Sequence, residues 1–516
     1  MTPDSDPDGD RDPDREALQR HPLPFAHTIG GVTLRSASRC LGAATALAVL
    51  GCGSRTGLDP PATSSVSRSD ASLGHVVDAR ADTRPRKGDA ALHDSSARVD
   101  AADAGPSEDA GRFLVCPAAV LSGSPLPMLG NCSTRDGRAR VTGPTSPHVT
   151  WVTPAPPTLT IGGFVAADTT GAVYLAAAPD EGLGGLVPEM IPTFGRIDGT
   201  TGNLDWLVSL PASTSASLSP ILDPGGALLD VANNVAGPAI DSFDPMTGSV
   251  TASMLAFSLA GIGIPAVGVD GSLYVQYVFE VGTNSQQALV SKLLPDRTIA
   301  WTTGDLSAGP TSFGGFLTLA LAERDVVIAV TTDTSGSLSI MYGLSPATGA
   351  TLWTTQIRAE AVNGPAIGPD GSIAVVALDA TNPNAGLLYV FEPTGALRST
   401  TVVPGQTVAA IGVDGTIVIG GEGLTAVSPS GTVLWTNSVG LVLGATIDSA
   451  GTIVTTFESE IVGFDVTTGA MRWSLMPPPH VPTDAQPPCL GVQSVVLTSN
   501  GGLVGLGCGL LFGASD

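Results

Sequence analysis

From Val149 onward the chain alternates short apolar stretches with tight polar turns, and the alternation recurs to the end. Two kinds of turn take part. The first sets Asp or Asn close to Gly between β-rich runs. It appears at Asp168–Gly171, Asp223–Gly226, Asp270–Ser272, Asp370–Ser372, Asp414–Thr416, Asp448–Gly451 and Ser499–Gly501, and a copy at Ala322–Val327 lacks Gly. The second turn usually ends in Trp four residues after its Gly, as in Asp198–Trp206, Ser345–Trp353, Ser428–Trp435 and Asp465–Trp473. Pro295–Trp301 has the Trp without the Gly, and Asp244–Val250 and Glu392–Leu397 lack the Trp. Asp, Asn and Ser close turns with their own side chains, and Gly takes positive φ without steric cost. Asp-Gly between alternating apolar stretches is a hairpin signal. Two hairpins per unit predict four antiparallel strands per unit.

Dividing Pro154–Asp516 by eight gives about 45 residues per unit. Four strands every ~40–50 residues make the blade of a β-propeller. The sequence therefore predicts an all-β, eight-bladed propeller of four-stranded antiparallel blades over residues 149–516. The eighth unit runs out after Leu510-Leu-Phe512, before any Trp, while Trp151 stands in a β-rich run with no such turn ahead of it. The N-terminal strand around Trp151 is expected to complete the last blade and remove an exposed edge. Seven blades with a separate N-terminal strand is the alternative. Trp151, Trp206, Trp301, Trp353, Trp435 and Trp473 are expected to dock between neighbouring blades rather than to stack on a ligand ring.

The segments Asp198–Trp206, Ser345–Trp353 and Asp465–Trp473 resemble the tryptophan-docking repeat of pyrroloquinoline-quinone-like propellers, the quinoprotein alcohol dehydrogenase-like repeat family. That group holds quinoprotein alcohol dehydrogenases and also a non-enzymatic propeller lipoprotein of the outer-membrane β-barrel assembly machine. The resemblance implies the fold over about Val149–Asp516 and leaves two function classes open. The enzymes imply an acidic tricyclic cofactor held by Arg, Asn and Ca²⁺, with a pair of adjacent cysteines. Here there is no Cys-Cys dipeptide, and basic residues are sparse from Val149 on (Arg196, Lys292, Arg297, Arg324, Arg358, Arg398 and Arg472). No catalytic, cofactor-binding or metal-binding residue is expected, and no cofactor. Asp168, Asp270, Asp370, Asp414 and Asp448 each stand alone in their turns, whereas a calcium loop needs several converging oxygens. His148 and His480 lie at no metal-ligand spacing.

The first 148 residues have a different character. Residues 1–31 are acidic, Pro-rich and without period, and are expected to be disordered and upstream of the true start. Residues 32–52 place Arg35 and Arg39 before an apolar run that ends Val49-Leu-Gly-Cys52. This is the plan of a secretory signal, and its end resembles a bacterial lipobox with Cys52 as the lipidated residue. Residues 53–112 are expected to be a disordered tether, and 113–148 a Cys-containing extension. Cys116, Cys132, Cys489 and Cys508 are disulfide candidates with three possible connectivities. Local pairing within each half is preferred to bridges that lock the ring's seam. The uncharged stretch Thr251–Val269 reads as two buried strands and a loop.

Composition completes the picture. Gly and Pro make up 105 of 516 residues, which excludes a mainly helical chain. The net charge is −24, which argues against nucleic acid and anionic lipid as direct electrostatic partners. From Phe113 on there are 10 basic and 30 acidic residues, so basic or polar partner surfaces are easier to accommodate. The expected protein is a non-enzymatic lipoprotein of the bacterial envelope, exported and anchored by Cys52, outer-membrane in location. Its monomeric propeller head would act as a scaffold that binds envelope or extracellular proteins. The alternatives are an exported quinone-dependent dehydrogenase and a carbohydrate- or matrix-binding propeller.

Overall fold

The computed structural model describes residues 135, 137–155, 165–177, 193–209, 213–223, 226–234, 237–255, 259–268, 270–280, 286–307, 319–322, 326–333, 335–362, 364–379, 382–406, 410–438, 440, 442–457, 459–478, 492–507 and 510–516. Cys52, the four disulfide candidates Cys116, Cys132, Cys489 and Cys508, and His480 lie outside the described residues, as do the segments read as signal and tether.

Eight antiparallel sheets follow one another along the chain. The first blade is β2 (Val165–Ala167), β3 (Ala172–Ala177), β4 (Thr193–Asp198) and β5 (Leu204–Ser209). The second is β6 (Ser213–Leu222), β7 (Leu228–Asn234), β8 (Gly237–Phe243) and β9 (Val250–Leu255). In the third the inner strand is broken into β10 (Leu259–Ile262) and β11 (Ala266–Val267), followed by β12 (Leu273–Glu280), β13 (Gln286–Leu293) and β14 (Ile299–Thr302). The fourth is β15 (Leu319–Leu321), β16 (Val327–Thr332), β17 (Ser339–Leu344) and β18 (Thr351–Ile357). The fifth is β19 (Ala366–Ile367), β20 (Ile373–Asp379), β21 (Asn382–Phe391) and β22 (Leu397–Val403). The sixth is β23 (Ala410–Ile411), β24 (Ile417–Gly420), β25 (Leu424–Val427) and β26 (Val433–Asn437), and the seventh is β27 (Val442–Ile447), β28 (Thr452–Phe457), β29 (Glu460–Asp465) and β30 (Met471–Leu475).

The eighth blade joins the two ends of the fold. It comprises β31 (Val492–Leu497), β32 (Leu503–Gly507) and β33 (Leu510–Ser515), with β1 (His148–Pro154) as its outer strand. β1 pairs antiparallel with β33 and sets Trp151 opposite Gly513. The eight-bladed reading of the sequence holds, with the N-terminal strand completing the last blade. One expectation is corrected. The uncharged stretch Thr251–Val269 contains three strands, not two, and the first is not buried. It is β9, the outer strand of its blade, where Val250 is half exposed.

Burial follows from the alternation of side chains across each strand. In β16, Val327 and Ala329 face the third blade, while Ile328 and Val330 face the fifth. The core is accordingly divided into eight apolar clusters, one at each joint between adjacent blades. Strands near the axis are buried on both faces and read as continuous apolar runs. Outer strands alternate, as β1 does along its whole length.

Closure reuses the turn chemistry of the repeat. In the second blade, Asp244 Oδ1 accepts the amides of Met246 (2.7 Å) and Thr247 (3.1 Å). At the closure, Asp516 Oδ1 accepts the amides of Thr145 (2.8 Å) and Ser146 (2.7 Å). Trp151 lies six residues beyond Thr145, as Ala252 lies six beyond Met246. The same carboxylate cap therefore spans two segments 370 residues apart in sequence. We predict that Asp516→Ala destabilises the head by about 1–2 kcal/mol, the usual worth of a carboxylate cap. Asp244→Ala is expected to cost a similar amount, and guanidinium unfolding of the two variants checks the equality.

Candidate functional site

The tryptophans sit at the rim, where neighbouring blades diverge. Trp151 lies over Gly202 of the first blade and donates from Nε1 to Gly199 O at 3.1 Å. Trp206 lies over Gly248 and donates to Pro245 O (3.1 Å), and Trp301 lies over Gly349 and donates to Pro346 O (3.0 Å). Trp353 covers Gly395, and Trp435 covers Gly469 while donating to Val466 O at 2.9 Å. Trp473 is buried among Ala139, Leu475, Leu497 and Phe512, and its Nε1 has no partner. A Cβ at Gly248, where φ is +69°, would stand 2.6 Å from Trp206 Cε3. The glycine thus supplies both the left-handed turn and the flat bed for the indole.

One joint is built differently. The second blade has Ala252 at the Trp position, and the third blade has Arg297 at the Gly position, at φ +67°. With no indole to seat, the turn carries a side chain. The Arg297 guanidinium instead reaches back to Asp223 of the second blade at 2.9 Å. The missing Trp and the missing Gly noted in sequence are one event seen from two blades. Between the fifth and sixth blades Ser399 takes the Trp place, and Thr401 Oγ1 donates to Gly431 O at 2.7 Å.

The turn aspartates cap their own turns. Asp168 Oδ1 accepts from Thr170 N (2.8 Å) and Ala172 N (3.0 Å). Asp270, Asp370 and Asp414 accept from Ser272, Ser372 and Thr416 at 2.9, 3.0 and 2.9 Å, and Asp448 accepts from Ala450 at 2.9 Å. At Asp465, hydrogen bonds from Thr467 and the Arg472 guanidinium hold the carboxyl well below the usual carboxylate range. Among the described residues no three His, Cys, Asp or Glu side chains gather as metal ligands. His148 begins β1 in an exposed position.

Two features were not singled out from sequence. Asp230 and Asp241 face each other across β7 and β8, both buried, on the side of the second blade that packs against the first. Both Asp230 carboxylate oxygens lack a hydrogen-bond partner. Burial pushes its pKa well up, and the facing Asp241 adds to it. The second feature is a strap on the inner side of the ring. Residues 137–141 run parallel to β27: Ile447 N donates to Gly137 O (2.9 Å), Ala139 N to Ile447 O (2.8 Å) and Ser449 N to Val141 O (3.0 Å). At its start Arg135 is buried against the inner strands of other blades. It donates to Leu319 O (2.7 Å), Ile264 O (3.0 Å) and Pro265 O (3.3 Å). Desolvation lowers its pKa to about 10. The strap thus spans the axis from the third and fourth blades to the seventh. Neither feature has a periodic signature; a lone buried Asp or Arg looks like any other in a strand or loop.

A family model described as outer membrane protein assembly factor BamB matches residues 337–507, from the fourth blade into the eighth. The head resembles the quinoprotein-type propellers. A europium-containing methanol dehydrogenase overlaps it with a TM-score of 0.51 at 12% identity, covering 76% of this chain and 98% of that one. Quinohemoprotein alcohol dehydrogenase from Comamonas testosteroni gives 0.48 at 10% identity (77% and 81% covered). BamB from Moraxella catarrhalis gives 0.46 at 12% identity (72% and 100% covered). Only the first exceeds 0.5, and at that identity it shows the fold alone. No curated protein matches the sequence.

A quinoprotein-type enzyme would need a seat for its quinone and calcium. Among the described residues no three His, Cys, Asp or Glu side chains gather to hold the calcium. The guanidinium that reaches the axis, Arg135, is engaged by backbone carbonyls, and the turn carboxylates are each capped by their own turn.

Two predictions follow from these contacts. Gly248→Ala, which sets a methyl group against Trp206 at positive φ, should destabilise the head by about 2–4 kcal/mol in denaturant unfolding. Asp230→Val should stabilise it by about 1–3 kcal/mol at pH 8, by removing buried oxygens that lack partners. The folded pKa of Asp230 lies above its unfolded value, so the parent loses stability as pH rises from the unfolded pKa through the folded one. The advantage of the variant should therefore grow from pH 5 to pH 8 in the same assay.

Proposed function

We propose that the protein is an envelope lipoprotein, anchored at Cys52, whose propeller head is a non-enzymatic scaffold for other proteins. The observation that carries this reading is the strap across the axis of the ring, which lies where a propeller would otherwise hold a small ligand. Rigid blades with short turns then leave rim and faces as contact surface. The match to the BamB family model points the same way. The acidic excess of the head favours partners with basic or polar surfaces, and the head itself is read as a monomer. Residues 32–52 would be the signal, 53–112 a tether that lets the head reach its partner, and the cysteines of the extension and last blade would form disulfides.

Cys52→Ser should abolish metabolic palmitate labelling and move the protein from membrane to soluble fractions. A labelled or membrane-bound variant would overturn the anchor. Affinity purification of the intact protein from envelopes should retain specific proteins in stoichiometric amount; recovery of the protein alone would overturn the scaffold. The competing dehydrogenase reading rests on the fold shared with the quinoprotein enzymes. It predicts dye reduction and a raised Tm after addition of pyrroloquinoline quinone with Ca²⁺, whereas the scaffold reading predicts neither.

A further inference from the structure

We propose that the inner side of the ring is a binding site for an extended, arginine-bearing peptide strand, which Arg135 and residues 137–143 of the chain itself occupy in cis. The inference goes beyond the scaffold reading and stands whether or not the head binds other proteins on its rim.

The site has three parts, each built by the blades. The inner edge of β27 supplies a strand partner. Ile447 and Ser449 donate amides outward, and Ile447 O accepts, so any extended chain running parallel can make the same three bonds. Beside that edge the space is narrow: a Cβ at Gly137 would lie 2.8 Å from Ala410 Cβ and 3.3 Å from Ala445 O. The wall therefore selects a small residue there, and two positions later Ala139 enters the apolar cluster shared by the seventh and eighth blades. The third part is a cage of main-chain carbonyls at the ends of the inner strands of the third and fourth blades. Leu319 O, Ile264 O and Pro265 O converge on the Arg135 guanidinium. The planar guanidinium, with five donors, fits such a cage better than an ammonium does. The far end is fixed by Gly143 N, which donates to Asp448 Oδ2 at 2.8 Å, and by Thr142 Oγ1 against Ser449 Oγ at 2.8 Å. The recognised pattern is thus arginine, a small residue two positions on, and a second small residue two positions further.

The contacts are of a kind that exchanges. The strap adds three backbone bonds to β27 and the turn that follows it. Between Gly137 and Gly143 it lays Ala139 and Val141 against the apolar cluster of the seventh and eighth blades, and burying Arg135 sets desolvation against its hydrogen bonds. A strand offered in trans with the same pattern can make the backbone bonds to Ile447 and Ser449 and the guanidinium bonds to Leu319, Ile264 and Pro265 in its place.

The test uses the full chain with a specific protease site inserted between Gly143 and Pro144 and a fluorophore ahead of Arg135. After cleavage the labelled fragment should stay with the head. A synthetic peptide of residues 133–143 should then displace it in a saturable manner, and the same peptide carrying Arg135→Ala should be at least about tenfold weaker, as loss of charged hydrogen bonds predicts. Loss of the fragment on cleavage, unfolding of the head on cleavage, failure of saturating peptide to displace it, or equal competition by the two peptides would each overturn the proposal. In the uncut parent chain, Arg135→Ala should raise hydrogen exchange at the Ile447 and Ser449 amides about tenfold or more. Unchanged exchange there would overturn it as well. Partner capture from envelopes tests the scaffold reading separately, because it does not depend on the peptide.

Discussion

An indole laid on the turn of the next blade is the contact on which the ring depends. Twisted sheets arranged around an axis are close at the centre and splay at the rim. Near the axis, Ala, Val, Ile and Leu fill each joint. At the rim the gap is wider, and a side chain must be both large and flat to close it at normal packing density. Trp meets both demands, and the Nε1 of Trp151, Trp206, Trp301 and Trp435 finds a carbonyl in the turn it covers. Gly beneath it is the matching half of the device. Each such contact fixes one blade relative to the next, and the eight joints, five of them made this way, must be mutually consistent for the chain to return to its start.

The joint between the second and third blades shows how the device is exchanged. Ala252 and Arg297 belong to different blades and lie far apart in sequence, yet each makes sense only with the other. Removing the indole frees the turn from its need for Gly, and the arginine that replaces Gly supplies a new tie to Asp223. The tie is charged and partly buried, and the apolar cluster beneath it remains complete. The closure of the ring shows the same economy: Asp516 and Thr145 rebuild by hydrogen bonds a turn that elsewhere is made by continuous chain.

What the sequence disclosed followed from its periodicity. Paired turns every 45 residues, with Trp in register, specified four-stranded blades, their number, and the role of the strand bearing Trp151. Each of these rests on local chemistry repeated many times, so that no single irregular copy could hide it. The residues that give the head its individual character occur once. Asp230 and Asp241 are ordinary strand residues until the register of β7 and β8 sets them opposite each other in an apolar joint. Arg135 stands in an extension without apolar period, and only the assembled ring brings three carbonyls of the third and fourth blades around it. The anomaly at Arg297 was visible as a repeat without its Gly, but its meaning required the neighbouring blade.

The direction of the strap has a mechanical consequence. Residues 137–141 run parallel to β27, toward the end of the ring where the capped turns lie. A pull on Arg135 directed away from that end would act along the strand axis. It would load the three bonds to β27 and the turn after it together, in shear, rather than lifting them one at a time. Past Gly143 the load passes to the Asp516 cap and then to β1, which is held by β33 along its whole length. Tension would therefore be spread across the closing blade, and the joint where the ring's two ends meet is the one best placed to carry it.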